Sequence, residues 1–304
     1  MSAESVIRLS DGPLNVEILP ESGGRISAFW SEAGEERTDW FVPRPKSGDS
    51  DSKDATAWGS FPLVPFSNRI RDGRFIWDGA EHRIAVTEKN APHAIHGHGR
   101  SVSWDVDTVS DTYAALSYVY SGEDWPFPYQ ARQVFDLTGG TLRISMELDN
   151  IGPMAMPGGL GHHPYLPWRA GPVLTTSFAS IWPAVDGVLP AGPKSVPGDL
   201  GFSGTEGRPL PRGLDTGFGG WGGRALLHWP GEGLSLEIDG SKGLSHVILF
   251  TPDGKPFFCV EPVTHCIDAI NLLAAGVTGT GIQAVPPGER LVASMRFKPG
   301  FAGH

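Results

Sequence analysis

The sequence predicts an all-β protein built from large antiparallel sheets packed face to face, and three observations carry that reading. Apolar and polar residues alternate with a two-residue period in segment after segment. Helical periodicity is confined to one short stretch. Glycine (41) and proline (27) are abundant in a chain of 304 residues, which favours many short strands joined by turns over long helices.

Residues 141–148 show the alternation best: Leu142, Ile144, Met146 and Leu148 interleave with Thr141, Arg143, Ser145 and Glu147. The same pattern predicts strands over 14–19, 25–30, 74–77, 82–86, 102–109, 113–120 and 131–137, and later over 234–238, 244–250, 257–261 and 290–297. Asp78-Gly79, Gly139-Gly140 and Asp253-Gly254 supply turn chemistry between them. One short helix is expected over 268–275, with Asp268 at its N-cap and Gly276 just past its end. Strands without intervening helices point to antiparallel sheets. No repeat of fixed period is present, which argues against a propeller. The polar stretch 46–55 is expected to be a surface loop. Residues 189–223, dense in Gly and Pro but carrying Phe202, Phe218 and Trp221, are expected to form a long ordered binding loop. All-β folds often exceed the usual domain size, so residues 1–304 are read as a single domain.

Composition narrows the function. A formal net charge of −10 repels phosphate backbones and anionic bilayers, so neither nucleic acid nor a membrane surface is an expected partner. The two cysteines, Cys259 and Cys266, are too few for a disulfide framework. The N-terminus lacks a basic region followed by an apolar run, and no apolar stretch approaches the ~18 residues of a membrane span. A cytoplasmic protein, monomeric or homodimeric, is the expectation. G-x-S-x-G, P-loop and G-x-G-x-x-G signatures are all missing.

What remains is a set of carboxylate, imidazole, amide and guanidinium groups. Gly161-His162-His163-Pro164-Tyr165 places a histidine before a proline, which biases it to extended backbone at a strand end or loop rim. It offers either a proton-transfer group or two histidines bonded into a loop. Glu261 ends the apolar run 257–261 and shares a face with Phe257 and Cys259, so it is either a solvated strand end or a base tuned by desolvation. His93, His96 and His98 invite a metal, yet no adjacent acid or cysteine completes a familiar ligand set; hydrogen bonding to a polar ligand fits better. Asn68 and Arg69, ending a proline-stiffened stretch, could fix sugar hydroxyls or anchor a turn. Asp215 lies in the long loop. The tryptophans could stack on sugar rings or fill the core.

Taken together, PLVPFSNRIRDGRF, AIHGHGRSVSW, GLGHHPYLP, LDTGFGGW and FFCVEPVTH resemble, in order, the motifs of the aldose 1-epimerase (galactose mutarotase) family from about Phe61 to Asn271. The resemblance implies a large antiparallel β-sandwich with an open concave sugar cleft. It also implies a cofactor-free, metal-free exchange of the α and β anomers of an aldose. By the same resemblance His163 is the general acid and Glu261 the general base, acting from opposite sides of the anomeric carbon. Asn68, Arg69, His96 and Asp215 bind the sugar. The chain departs from the family in having His162 where an aromatic is common. The cluster of Arg69, Arg71, Arg74 and Arg100 raises an alternative, an anomerase for an anionic sugar (a hexose 6-phosphate, sulfonate or uronate). A sugar-binding or regulatory protein without catalysis is the other alternative.

Overall fold

The computed structural model describes residues 5–45 and 58–301; the expected loop 46–55 lies outside the described residues. The alternating segments pair into two large sheets. The first, the site sheet, runs in the order Ile7–Asp11, Leu14–Leu19, Arg25–Ala33, Ser60–Leu63, Gly161–Pro167, Phe257–Val263, His246–Phe250, Asp215–Gly219, Ser180–Trp182. Glu36–Asp39 pairs with Arg25–Ala33 beside this path. The second, the backing sheet, runs Asp105–Val109, Tyr113–Tyr120, Tyr129–Thr138, Thr141–Asn150, Arg290–Phe301, Leu234–Gly240, Arg224–Trp229, Val173–Thr176, Arg208–Pro209. The neighbouring strands pair antiparallel, as the scarcity of helix requires.

The two-residue period decides what each face meets. On Thr141–Asn150, Leu142, Ile144, Met146 and Leu148 are buried inward. They pack in one core with Val16, Ile18, Phe29, Val247, Leu249, Phe258 and Val260 from the site sheet. The opposite face of the site sheet carries a second, smaller apolar cluster of Phe61, Leu63, Tyr165, Ile248, Phe257 and Cys259. Alternation along Phe257–Val263 therefore sends Phe258 and Val260 into the sandwich and Phe257, Cys259 and Glu261 to the other face.

Several expectations are corrected. The strand expected over 82–86 is the hairpin arm Ala80–Arg83, and the one over 102–109 starts only at Asp105. The helix is Ala269–Ala274, but Asp268 does not cap it; at φ 57° its carboxylate instead accepts from the Arg71 N–H at 3.0 Å. The stretch 189–223 is not structureless, since it contributes the strands Arg208–Pro209 and Asp215–Gly219. Its aromatics Phe202, Phe218 and Trp221 are core residues, because burying a large ring outweighs exposing it to a ligand.

Candidate active site

Sheet register brings the chemistry together. Gly161 pairs with Val263 and Tyr165 with Cys259, which sets His163 opposite Glu261 on adjacent strands. Phe61 pairs with His163 on one side and Ile248 with Glu261 on the other. Phe61, His163, Glu261 and Ile248 thus form one row across the sheet, and Tyr165, Cys259, Phe250 and Asp215 form the next. The ladder between Gly161–Pro167 and Phe257–Val263 is interrupted at 162–164, where Pro164 has no N–H to donate. His163 is therefore not at an exposed rim as the His-Pro sequence suggests; it sits in mid-sheet, 6% exposed.

His163 Nε2 lies 3.3 Å from Glu261 Oε1. The imidazole is clamped by stacking on Phe61 (4.6 Å between centroids) and Tyr165 (4.7 Å). Burial raises the Glu261 carboxyl well above its ordinary range, helped by the Asp215 charge. Burial also depresses His163 to about 3, assisted by repulsion from Arg100 and Arg25. Low dielectric thus pushes both groups toward neutrality, and the pair holds a single proton between them. Glu261 Oε2 is buried without a hydrogen-bond partner among the described residues. His162 points to the opposite face, where Nδ1 shares a hydrogen bond with Ser60 Oγ.

The third wall comes from the segments that follow Leu63. Arg69–Ile70 pairs with Ala94–Ile95. Gly97, at φ 64°, lies so close to Val64 O that a Cβ would sit 2.3 Å from it; only glycine allows this approach. Asn68 and His96 both occupy the left-handed region (φ 55° and 67°), at roughly 1 kcal/mol each for a non-glycine residue. Reciprocal bonds hold them there: His96 N–H donates to Asn68 O at 2.9 Å, and Asn68 N–H donates to His96 Nδ1 at 3.1 Å. Burial keeps His96 neutral, so with Nδ1 accepting, its proton is on Nε2.

A cavity of about 600 Å³ joins these walls, within the range of small-molecule sites. Asn68, Arg69, His96, His163, Asp215 and Glu261, the six residues singled out from sequence, all line it.

The family model for aldose 1-epimerase matches residues 5–298. The chain belongs to the aldose 1-epimerase family. YphB of Escherichia coli K12, a protein of uncharacterised function, is 30% identical over 97% of this chain and 98% of its own length. A crystal structure of a candidate aldose 1-epimerase from E. coli K12 superposes with a TM-score of 0.86 at 28% identity, covering 98% of this chain and all (100%) of that one. A galactose mutarotase-like protein of Clostridium acetobutylicum shares the fold, with TM-score 0.84 and 18% identity over 99% of this chain and 96% of the other.

This family member's cavity also contains groups that sequence reading passed over. Arg25 lines it, at a strand start with no signal beyond its own charge. Phe61 and Tyr165 were within reach of the two-residue period, since Tyr165 shares a face with His163. Of the four clustered arginines, only Arg69 and Arg100 face the cavity. Arg71 is drawn off by Asp186 (2.9 Å) and Asp268 (3.6 Å), and exposed Arg74 lines a separate groove.

His93, His96 and His98 do not converge. His93 Nδ1 accepts from Asp72 N–H, His96 Nδ1 from Asn68 N–H, and His98 stacks on Tyr120. The ligand atoms that do converge are those of His163, Cys259 and Glu261, all within 4.8 Å of one another. Burial raises the Cys259 thiol well above its ordinary value and Glu261 with it, so a metal bound here would have to displace protons from both.

Proposed function

We propose that this protein is an aldose 1-epimerase that interconverts the anomers of an aldopyranose, with Glu261 as base and His163 as acid. One observation carries the reading: the 3.3 Å contact between His163 and Glu261 on the cavity wall. O1 and O5 of a pyranose hang on the same carbon, so the groups that serve them must be neighbours. In this reading the two groups reach the anomeric centre as a side-by-side pair from adjacent strands.

The proton moves are balanced. The Glu261 carboxylate takes the proton of the C1 hydroxyl, the C1–O5 bond breaks, and protonated His163 delivers its proton to O5. The open-chain aldehyde turns about C1–C2. Glu261 then returns its proton to the carbonyl oxygen as His163 recovers one from the C5 hydroxyl, and O5 attacks the other face of C1. His96 Nε2–H, Asn68, Arg69 and Asp215 supply donors and acceptors for the remaining hydroxyls. Because the cavity draws on Arg25 and on Glu261, residues far apart in the chain, residues 1–304 act as one unit in this reading.

Polarimetry on freshly dissolved α-sugars, corrected for spontaneous mutarotation, tests it. Glu261→Gln and His163→Asn should each slow the catalysed rate by roughly 10²–10⁴, the contribution of a positioned acid or base. His162→Asn should be much milder. Sugar binding without any catalysed anomerisation by the unaltered protein would replace the enzyme with a binding protein.

A further inference from the structure

We propose that the sugar turned over here carries an anionic group on C6, held between the guanidinium groups of Arg25 and Arg100. The proposal rests on the epimerase reading above and deepens it by naming the substrate class.

Charged groups are ordered across the cavity. Arg25 Cζ lies 5.2 Å and Arg100 Cζ 5.8 Å from the Phe61 ring centroid, and Phe61 stacks on His163. On the far side of His163 come Glu261 and then, in the next row and two strands on, Asp215. Arg25 and Arg100 therefore stand at one end and the carboxyls at the other, with His163 between and Arg69 on the Asp215 side. A pyranose follows the same order. If O5 meets His163 and O1 meets Glu261, then C2 and C3 extend toward Asp215, while C5 and its exocyclic C6 extend toward Phe61 and the two arginines. The C6 substituent is the part of the sugar that reaches this pocket.

Arg100 makes a neutral hydroxymethyl group a poor occupant. Burial depresses its guanidinium, and no Asp or Glu among the described residues lies near enough to offset this. A half-buried cation without a counter-charge is costly, and an anionic substrate supplies one. Among the described residues the lining includes Arg25, Arg69, Lys89 and Arg100 as well as the carboxyls of Asp215 and Glu261. An anion at the arginine end would also relieve the repulsion that Arg100 and Arg25 exert on a protonated His163, favouring the acid form that ring opening needs. Carboxylate, sulfonate and phosphate all suit the guanidinium fork.

The test compares kcat/KM for anomer exchange, by magnetisation-transfer NMR, between glucose and galactose and their uronates, 6-sulfonates and 6-phosphates. At least one anionic series should exceed its neutral parents by about tenfold or more, and which one does so identifies the anion. That anionic-to-neutral ratio should fall roughly tenfold to a hundredfold in Arg100→Gln, the value of one charge-assisted hydrogen bond, and recover in part in Arg100→Lys. In the unaltered protein, inorganic sulfate or phosphate should inhibit turnover of a neutral sugar competitively, a readout that needs no variant. Neutral sugars turning over as fast as every anionic one, with no inhibition by either inorganic anion, would overturn the inference and leave the epimerase standing. No catalysed exchange of any sugar would end both.

Discussion

In the proposed mechanism Glu261 is the base and His163 the acid, and one cause shifts both pKa values, in opposite directions. Burial raises the carboxyl and lowers the imidazole to about 3, so between these limits the pair carries one proton, and the form with that proton on His163 is the one that opens a sugar ring. Taking up a second proton silences the base; losing the last silences the acid. The pH profile of kcat/KM should therefore be a bell belonging to the pair, with its acid limb well below the 6.5 of an ordinary histidine. Its alkaline limb should fall above the usual carboxyl range. An acid limb centred near 6.5, with the alkaline limb missing, would mean that a solvent-exposed histidine titrates instead.

The stretch that follows the Phe257–Val263 strand also supports the cavity wall formed by Asn68 and Arg69. His265 Nδ1–H donates to Cys266 O, and its Nε2 accepts from Ser67 N–H at 3.1 Å, one residue before Asn68. Asp268 N–H donates to Arg69 O at 2.9 Å, while its carboxylate accepts from Arg71 N–H and from the Asn271 amide. Residues 261–271 thus carry Glu261, the base of the proposed mechanism, and tie down the segment 67–71 that carries Asn68 and Arg69. Because those two bind rather than transfer protons, Asp268→Ala should raise KM several-fold, the effect of a misplaced polar contact, with a smaller change in kcat. A loss confined to kcat would show that Asp268 acts on the proton-transfer pair instead.

The whole molecule buries an unusual number of neutral histidines, and its acid stability should register this. His162 is depressed to about 3, and His246 and His265 to about 4, each chiefly by burial. Unfolding frees each to protonate at about 6.5, so their contribution is complete above that pH and drains away as pH falls toward the folded values. Each such proton steepens the loss by about 1.4 kcal/mol per pH unit. Asp215 and Asp268, raised by burial, work the other way, favouring the folded state at low pH, but they are two groups against five once His96 and His98, also lowered by burial, join these three histidines. In the His163–Glu261 pair the two shifts oppose each other. Tm should therefore drop between pH 7 and pH 5, and His162→Gln should flatten the dependence even where it lowers Tm. A Tm constant over that range would contradict neutral burial of these rings.

Alternation alone carried the sheet content, the inward faces of strands such as Thr141–Asn150, and the shared face of Phe257, Cys259 and Glu261, because a two-residue period is local and survives in any antiparallel sheet. The family motifs marked the six residues that line the cavity. Tertiary structure decided the rest. Register, a property of two strands and not of one, set His163 beside Glu261 and chose it over His162, whose neighbouring position turns it to the other face. Distant pairing brought Arg25 and Arg100 to 5.2 and 5.8 Å from the Phe61 ring centroid, and ion pairs with Asp186 and Asp268 removed Arg71 from the cluster that sequence proximity suggested. Desolvation set the protonation of Glu261, His163 and Cys259, since the water a side chain loses depends on what packs around it, and that is written across the whole chain.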